Sequence, residues 1–78
     1  MATLRLFASA REAAGISRIE IDGATVGEVL AQASNQFGPQ FAAVLAGCKI
    51  WLNGEPTEPT SAVCPADEVA VLPPVSGG

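Results

Sequence analysis

The chain has no histidine and no tyrosine, and only two cysteines and four basic residues among its 78. Without histidine it lacks the side chain that most often moves protons near neutral pH, and no Cys–His nucleophile can be assembled. Cys48 and Cys64 stand 16 positions apart. They are too few for four-thiolate iron–sulfur ligation and lack the paired spacing of a zinc site, so no metal site is expected. Eight acidic residues outnumber the basic ones, for a net charge of −4. That balance disfavours nucleic acid and anionic membrane as partners and favours a basic protein surface. No run approaches the ~18–20 apolar residues of a membrane span, and the N-terminal residues lack the charged, apolar, small-residue order of a signal peptide. The expected location is the cytoplasm, with both thiols free.

What is present is apolar. Hydrophobic residues make up 49% of the chain and charged ones only 15%, which leaves apolar surface to face a partner. The length allows one domain whose core buries about 60% of its unfolded surface.

Thr3-Leu4-Arg5-Leu6-Phe7 alternates as a half-buried strand, with Leu4 and Leu6 inward and Arg5 and Phe7 on the other face. Ser9 to Gly15 is expected to turn the chain, with one helical turn at Arg11-Glu12-Ala13-Ala14. Ser17 to Asp22 alternates again, burying Ile19 and Ile21, so the two strands form a hairpin across a wide loop. Thr25-Val26-Gly27-Glu28 fits a capping box that opens a helix. Val26, Val29, Leu30, Ala33 and Phe37 form its apolar stripe, and Gly38-Pro39 ends it. One further turn is expected over Phe41 to Leu45. Cys48 to Leu52 reads as a third strand, and Asn53-Gly54 is a strong hairpin signal. Pro56 and Pro59 confine the next segment to a sheet edge or a loop. Val69-Ala70-Val71-Leu72, apolar on both faces, is expected to be a central strand covered on both sides. Cys48 reads as a small core residue and Cys64 as an exposed loop residue.

This order implies an α+β domain over residues 1–72, a mixed sheet of four to five strands with one main helix packed across it. That is the ubiquitin-like β-grasp. Residues 73–78 are expected to form a flexible tail ending in Gly77-Gly78. Pro73-Pro74 favours extended polyproline geometry, which holds the tail away from the body. Six extended residues reach roughly 20 Å, enough to enter another protein's active site. Gly78 lacks a Cβ, so its carboxyl carbon is open to approach from either side.

Over essentially its whole length the chain resembles the small, sulfur-carrying subunit of molybdopterin synthase, a MoaD-type carrier of the MoaD/ThiS family. The resemblance rests on Leu6-Phe7-Ala8, Arg11-Glu12-x-x-Gly15, Leu52-Asn53-Gly54-Glu55, Asp67-Glu68-Val69-Ala70 and, most specifically, Pro73-Pro74-Val75-Ser76-Gly77-Gly78. One departure is Pro65-Ala66, where the family often has an Asp-Gly type of turn.

The resemblance implies a protein that is no enzyme on its own. The Gly78 carboxylate is adenylated by an activating enzyme that uses ATP, and is then converted to a thiocarboxylate with sulfur from a donor protein. Residues Pro73, Pro74, Val75, Ser76 and Gly77 insert that group into the large synthase subunit, where it donates sulfur to a pterin precursor. Two small and two large subunits make the complex, and no cofactor stays bound to the small one. Ordering residues 75–78 costs roughly 4–8 kcal/mol at ~1–2 per residue. Val75 returns about 1.5–3 kcal/mol on burial, so the body must anchor the complex. Phe7, Arg11 and the apolar residues near the tail are the candidate interface residues. For Phe7 core packing under the loop is an equal reading, and for Arg11 a solvated loop charge is the commoner one.

Two other functions share the same terminal chemistry. One is a sulfur carrier for thiamine or cysteine biosynthesis, against which the Pro-Pro-Val-Ser lead-in argues. The other is a ubiquitin-like protein modifier that forms an isopeptide through Gly78. Lys49 is the only lysine, which disfavours chains of modifiers.

Overall fold

Alternating burial along Ala2–Leu6 (β1) puts Ala2, Leu4 and Leu6 inside and leaves Thr3 and Arg5 outside. The computed structural model of this chain describes residues 1–74. The tail positions Val75, Ser76, Gly77 and Gly78 lie outside the described residues, and with them the end of the predicted tail.

Arg18–Ile21 (β2) pairs antiparallel with β1, Leu4 opposite Ile19, as the alternation of both segments predicts. Their connection is a helix, Ala8–Ala14 (α1), rather than a loop with a single turn. Gly15 ends it at φ 77, its N–H donating to the carbonyl of Arg11 at 2.8 Å. Ala10 is fully buried, so this short helix is held by packing against the core and not by local propensity.

The second helix, Val26–Phe37 (α2), has the predicted bounds. Thr25 Oγ1 accepts from the Glu28 N–H at 3.2 Å, while Glu28 Oε1 accepts from the Ala24 N–H at 3.1 Å. The reciprocal bond therefore falls one residue before the cap. Gly38 has φ 94 and ψ −177, a conformation reserved for glycine but not the left-handed helical cap expected. Pro39 does not merely stop α2. It occupies the first turn of Pro39–Leu45 (α3), where a missing N–H costs nothing. Phe41 from α3 is fully buried, and its ring meets that of Phe37 edge-on with centroids 5.2 Å apart.

Lys49–Leu52 (β3) turns at Asn53-Gly54, with φ 52 and 85, into the two-residue strand Glu55–Pro56 (β4) at the sheet edge. Two successive positive φ values are the hairpin geometry the Asn-Gly pair predicts. Glu68–Leu72 (β5) lies between β1, to which it is parallel, and β3, to which it is antiparallel, in the order β2-β1-β5-β3-β4.

The fold is the predicted mixed β-grasp sheet, with five strands and three helices among the described residues where one main helix was expected. The helices contribute Ala10, Val26, Val29, Ala33 and Phe41 to a core shared with the inward side chains of the sheet. All three therefore cover one face. β5 is central, as predicted, but it is not covered on both sides. Val69 and Val71 are fully buried, while Ala70 and Leu72 on the other face are only half-buried.

Candidate functional site: the open sheet face at the root of the tail

Strand register builds this face. Arg18 stands opposite Arg5, Arg5 beside Ala70, Ala70 opposite Trp51 and Trp51 opposite Pro56, so one row crosses all five strands. The next row, toward the tail, sets Leu72 opposite Lys49. The row at the far end sets Thr3 between Glu20 and Glu68. The face is thus basic and apolar where β5 leaves the sheet, and acidic at its other end.

Two hollows flank the point of exit. One, of about 490 Å³, is lined by Lys49, Trp51, Leu72, Pro73 and Pro74. The other, of about 360 Å³, is lined by Arg5, Leu6, Phe7, Arg11, Ser17 and Arg18. Phe7 and Arg11 are therefore brought together. Phe7 is not a core residue: it is half-buried at the end of β1, with the Arg5 guanidinium carbon 5.4 Å from its ring centroid, a cation–π distance. Arg11 is exposed on α1. Pro73 is half-buried and Pro74 exposed, and both line the hollow beside Trp51 and Leu72 on the open face.

Leu72 is among the apolar residues near the tail expected at the interface, whereas nothing local in the sequence marks Trp51, Arg5 or Arg18 as part of it. Alternation already placed Arg5 beside Phe7. The pairing of β2 with β1 and of β3 with β5 was needed to bring Arg18 and Trp51 alongside.

The thiols lie elsewhere. Cys48 donates from Sγ to the Val44 carbonyl at 3.2 Å, and burial raises its pKa, which favours the thiol over the nucleophilic thiolate. Cys64 is exposed. Among the described residues there is no cluster of side chains able to hold a metal ion, and no helix is long and apolar enough to cross a membrane.

The ThiS family profile matches residues 4–78. Solved structures agree with it along nearly the whole chain. SAMP1 from Haloferax volcanii is 33% identical with a TM-score of 0.82, covering 99% of this chain and 98% of its own. The small archaeal modifier protein 1 from Methanosarcina acetivorans is 27% identical with a TM-score of 0.89, over 99% and 95% of the two chains. A putative molybdopterin converting factor, subunit 1, from Pyrococcus furiosus is 25% identical with a TM-score of 0.83, over 95% and 97%. A β-grasp body, a central strand leading straight into Pro73-Pro74, and a profile match reaching Gly78 concur: the chain belongs to the ThiS family of ubiquitin-like sulfur carriers.

Proposed function

We propose that this protein carries sulfur on the carboxyl group of Gly78 for molybdenum cofactor biosynthesis, as the small subunit of molybdopterin synthase. The observation that carries the reading is the exit of β5 through Leu72 into Pro73-Pro74 at the rim of a helix-free sheet face. A partner gripping that face receives the tail already directed outward. Likeness to a putative molybdopterin converting factor subunit and the Pro-Pro-Val-Ser-Gly-Gly ending support the pathway.

The chemistry divides as follows. An activating enzyme transfers AMP from ATP to the Gly78 carboxylate, releasing pyrophosphate. A sulfur nucleophile at the hydrosulfide level displaces AMP and leaves a thiocarboxylate. In the large subunit that sulfur bonds to a side-chain carbon of the pterin precursor and displaces an oxygen substituent, and hydrolysis of the resulting thioester restores the Gly78 carboxylate and leaves the thiol on the pterin. This chain supplies the acyl carrier, the extended Pro73-Pro74 spacer and a docking face that includes Phe7 and Arg11. The chain has no histidine, which is consistent with proton transfers falling to its partners.

A second reading has specific support, because two of the similar structures are archaeal modifier proteins. In that case the activated Gly78 carboxyl is captured by a lysine amine of a target, releasing AMP and forming an isopeptide. A carrier for thiamine or cysteine biosynthesis shares the first two steps. Incubation with ATP, an activating enzyme and a sulfur donor separates these outcomes by intact mass. Exchange of one oxygen for sulfur supports a carrier, and a high-mass protein adduct supports a modifier. Conversion of the pterin precursor on adding the large subunit then identifies the pathway.

A further inference from the structure

The net charge of −4 points to a basic partner, yet the basic side chains are not spread over the surface. Arg5, Arg11 and Arg18, three of the four, line a single cleft around Phe7. The fourth, Lys49, stands opposite Leu72 on the same sheet face. We propose that this face docks an acidic surface of the activating enzyme, with Arg5, Arg11 and Arg18 taking its carboxylates and the Ala70–Trp51 strip taking apolar contacts. The inference rests on the carrier reading and adds to it the chemistry of the partner.

Folding does not account for the arginines. Arg5 and Arg18 are direct cross-strand neighbours, and like charges directly opposite one another destabilise a sheet. Both are exposed, so neither contributes to the core. Arg5 is steadied from one side by the Phe7 ring and from the other by Glu68, whose carboxylate is 3.8 Å from its guanidinium. Arg11 and Arg18 make no ion pair among the described residues. Three arginines line one hollow, two of them without an ion pair among the described residues, and the guanidinium group suits carboxylates by geometry as well as charge.

The same row explains why the ligand is a protein surface and not a polyphosphate chain. Arg18 and Arg5 continue through Ala70, Trp51 and Pro56 without a break. Ala70, between Arg5 and Trp51, carries only a methyl group, so no long side chain separates the arginines from the tryptophan. Glu20 and Glu68 close the far end of the face, and with the overall negative charge they would repel an extended polyanion. A partner with acidic residues near its tail-accepting channel and an apolar patch beyond them matches this face in the orientation that sets its carboxylates over the arginines. That orientation places Pro73 and Pro74 at the channel mouth.

The probe is the activating enzyme encoded by the same genome, and docking is read by calorimetry without ATP at about 50 mM and about 300 mM salt. The double variant Arg11→Ala, Arg18→Ala is expected to bind roughly tenfold more weakly than wild type at low salt, with the gap narrowing at high salt. The control pair Gln32→Glu, Gln40→Glu on exposed helix positions lowers the net charge by the same two units. It is expected to bind as wild type does, which separates a local site from a general charge effect. Equal binding by the arginine variant, equal weakening by the control, or no docking of wild type overturns the inference. Intact mass after adding ATP and a sulfur donor to the same samples scores the carrier reading separately. Wild type that docks but gains no sulfur sinks that reading and leaves the docking result standing.

Discussion

Asn53 and Asp67 lock the β3–β4 turn to the start of β5: Asn53 Nδ2 donates to Asp67 Oδ1 at 2.9 Å. The lock has further members. Asn53 Oδ1 accepts from the Glu68 N–H at 2.9 Å, and Asp67 Oδ2 accepts from the Cys64 N–H at 2.8 Å. Donation by the Cys64 amide, and secondarily by the Asn53 side chain, holds the Asp67 carboxyl below its ordinary value of 3.8. A carboxyl whose folded pKa is depressed contributes stability that is present above 3.8 and is lost as pH falls through the lower folded value. Thermal unfolding followed from neutral pH downward is expected to show an acid loss in wild type that is shallower in Asp67→Asn. Identical acid slopes would show that Asp67 does not titrate through these bonds.

Close packing makes Gly23 irreplaceable for a different reason. A Cβ there would stand 2.7 Å from Val29 Cγ2 and 2.8 Å from the Val29 backbone nitrogen. Val29 is fully buried on α2, so neither atom can give way freely. Gly23→Ala is expected to cost about 1–3 kcal/mol by overpacking, seen as a lower urea midpoint. An unchanged midpoint would mean that the β2–α2 connection shifts without penalty.

Neither thiol is expected to carry sulfur. Cys64→Ser should leave thiocarboxylate formation at the wild-type rate, and Cys48→Ala should lower stability only, since the side chain packs against the core. Lost loading in a folded Cys64→Ser protein would transfer the chemistry from Gly78 to that thiol.

The elements most legible in the sequence were those whose signals are local. The Thr25–Glu28 cap and apolar stripe gave α2 its bounds, and Asn53-Gly54 gave the β3–β4 hairpin. α1 and α3 were underestimated because each is seven residues long and held by tertiary contacts of Ala10 and Phe41. The apolar run at Val69 to Leu72 suggested cover on both sides, yet Ala70 and Leu72 lie on the open face. A strand that docks a partner and one sealed between layers have the same composition. Phe7 and Arg11 could be proposed from sequence, but their shared cleft with Arg5 and Arg18 follows from the β1–β2 register together with the placement of α1.

The body, and not the tail, is expected to set affinity for the large subunit. Deleting Gly77 and Gly78 should abolish turnover while calorimetry shows nearly unchanged binding. Phe7→Ala, with its fold confirmed by circular dichroism, should weaken the complex. Dissociation by the truncation, with no effect of Phe7→Ala, would place the anchor in the tail.

The most direct test concerns the position of the reactive carboxyl group. One alanine added after Gly78 leaves the core and sheet untouched, so the melting temperature should not change. It moves the carboxylate by roughly 3.3 Å and puts a Cβ beside it. A displacement of even ~1 Å from near-attack geometry can cost on the order of 100-fold. Intact mass after incubation with ATP, activating enzyme and sulfur donor should show oxygen exchanged for sulfur in wild type, less efficient exchange in Gly78→Ala, and none in the extended protein. An extended protein that gained sulfur at the wild-type rate would contradict the assignment of Gly78 as the working group.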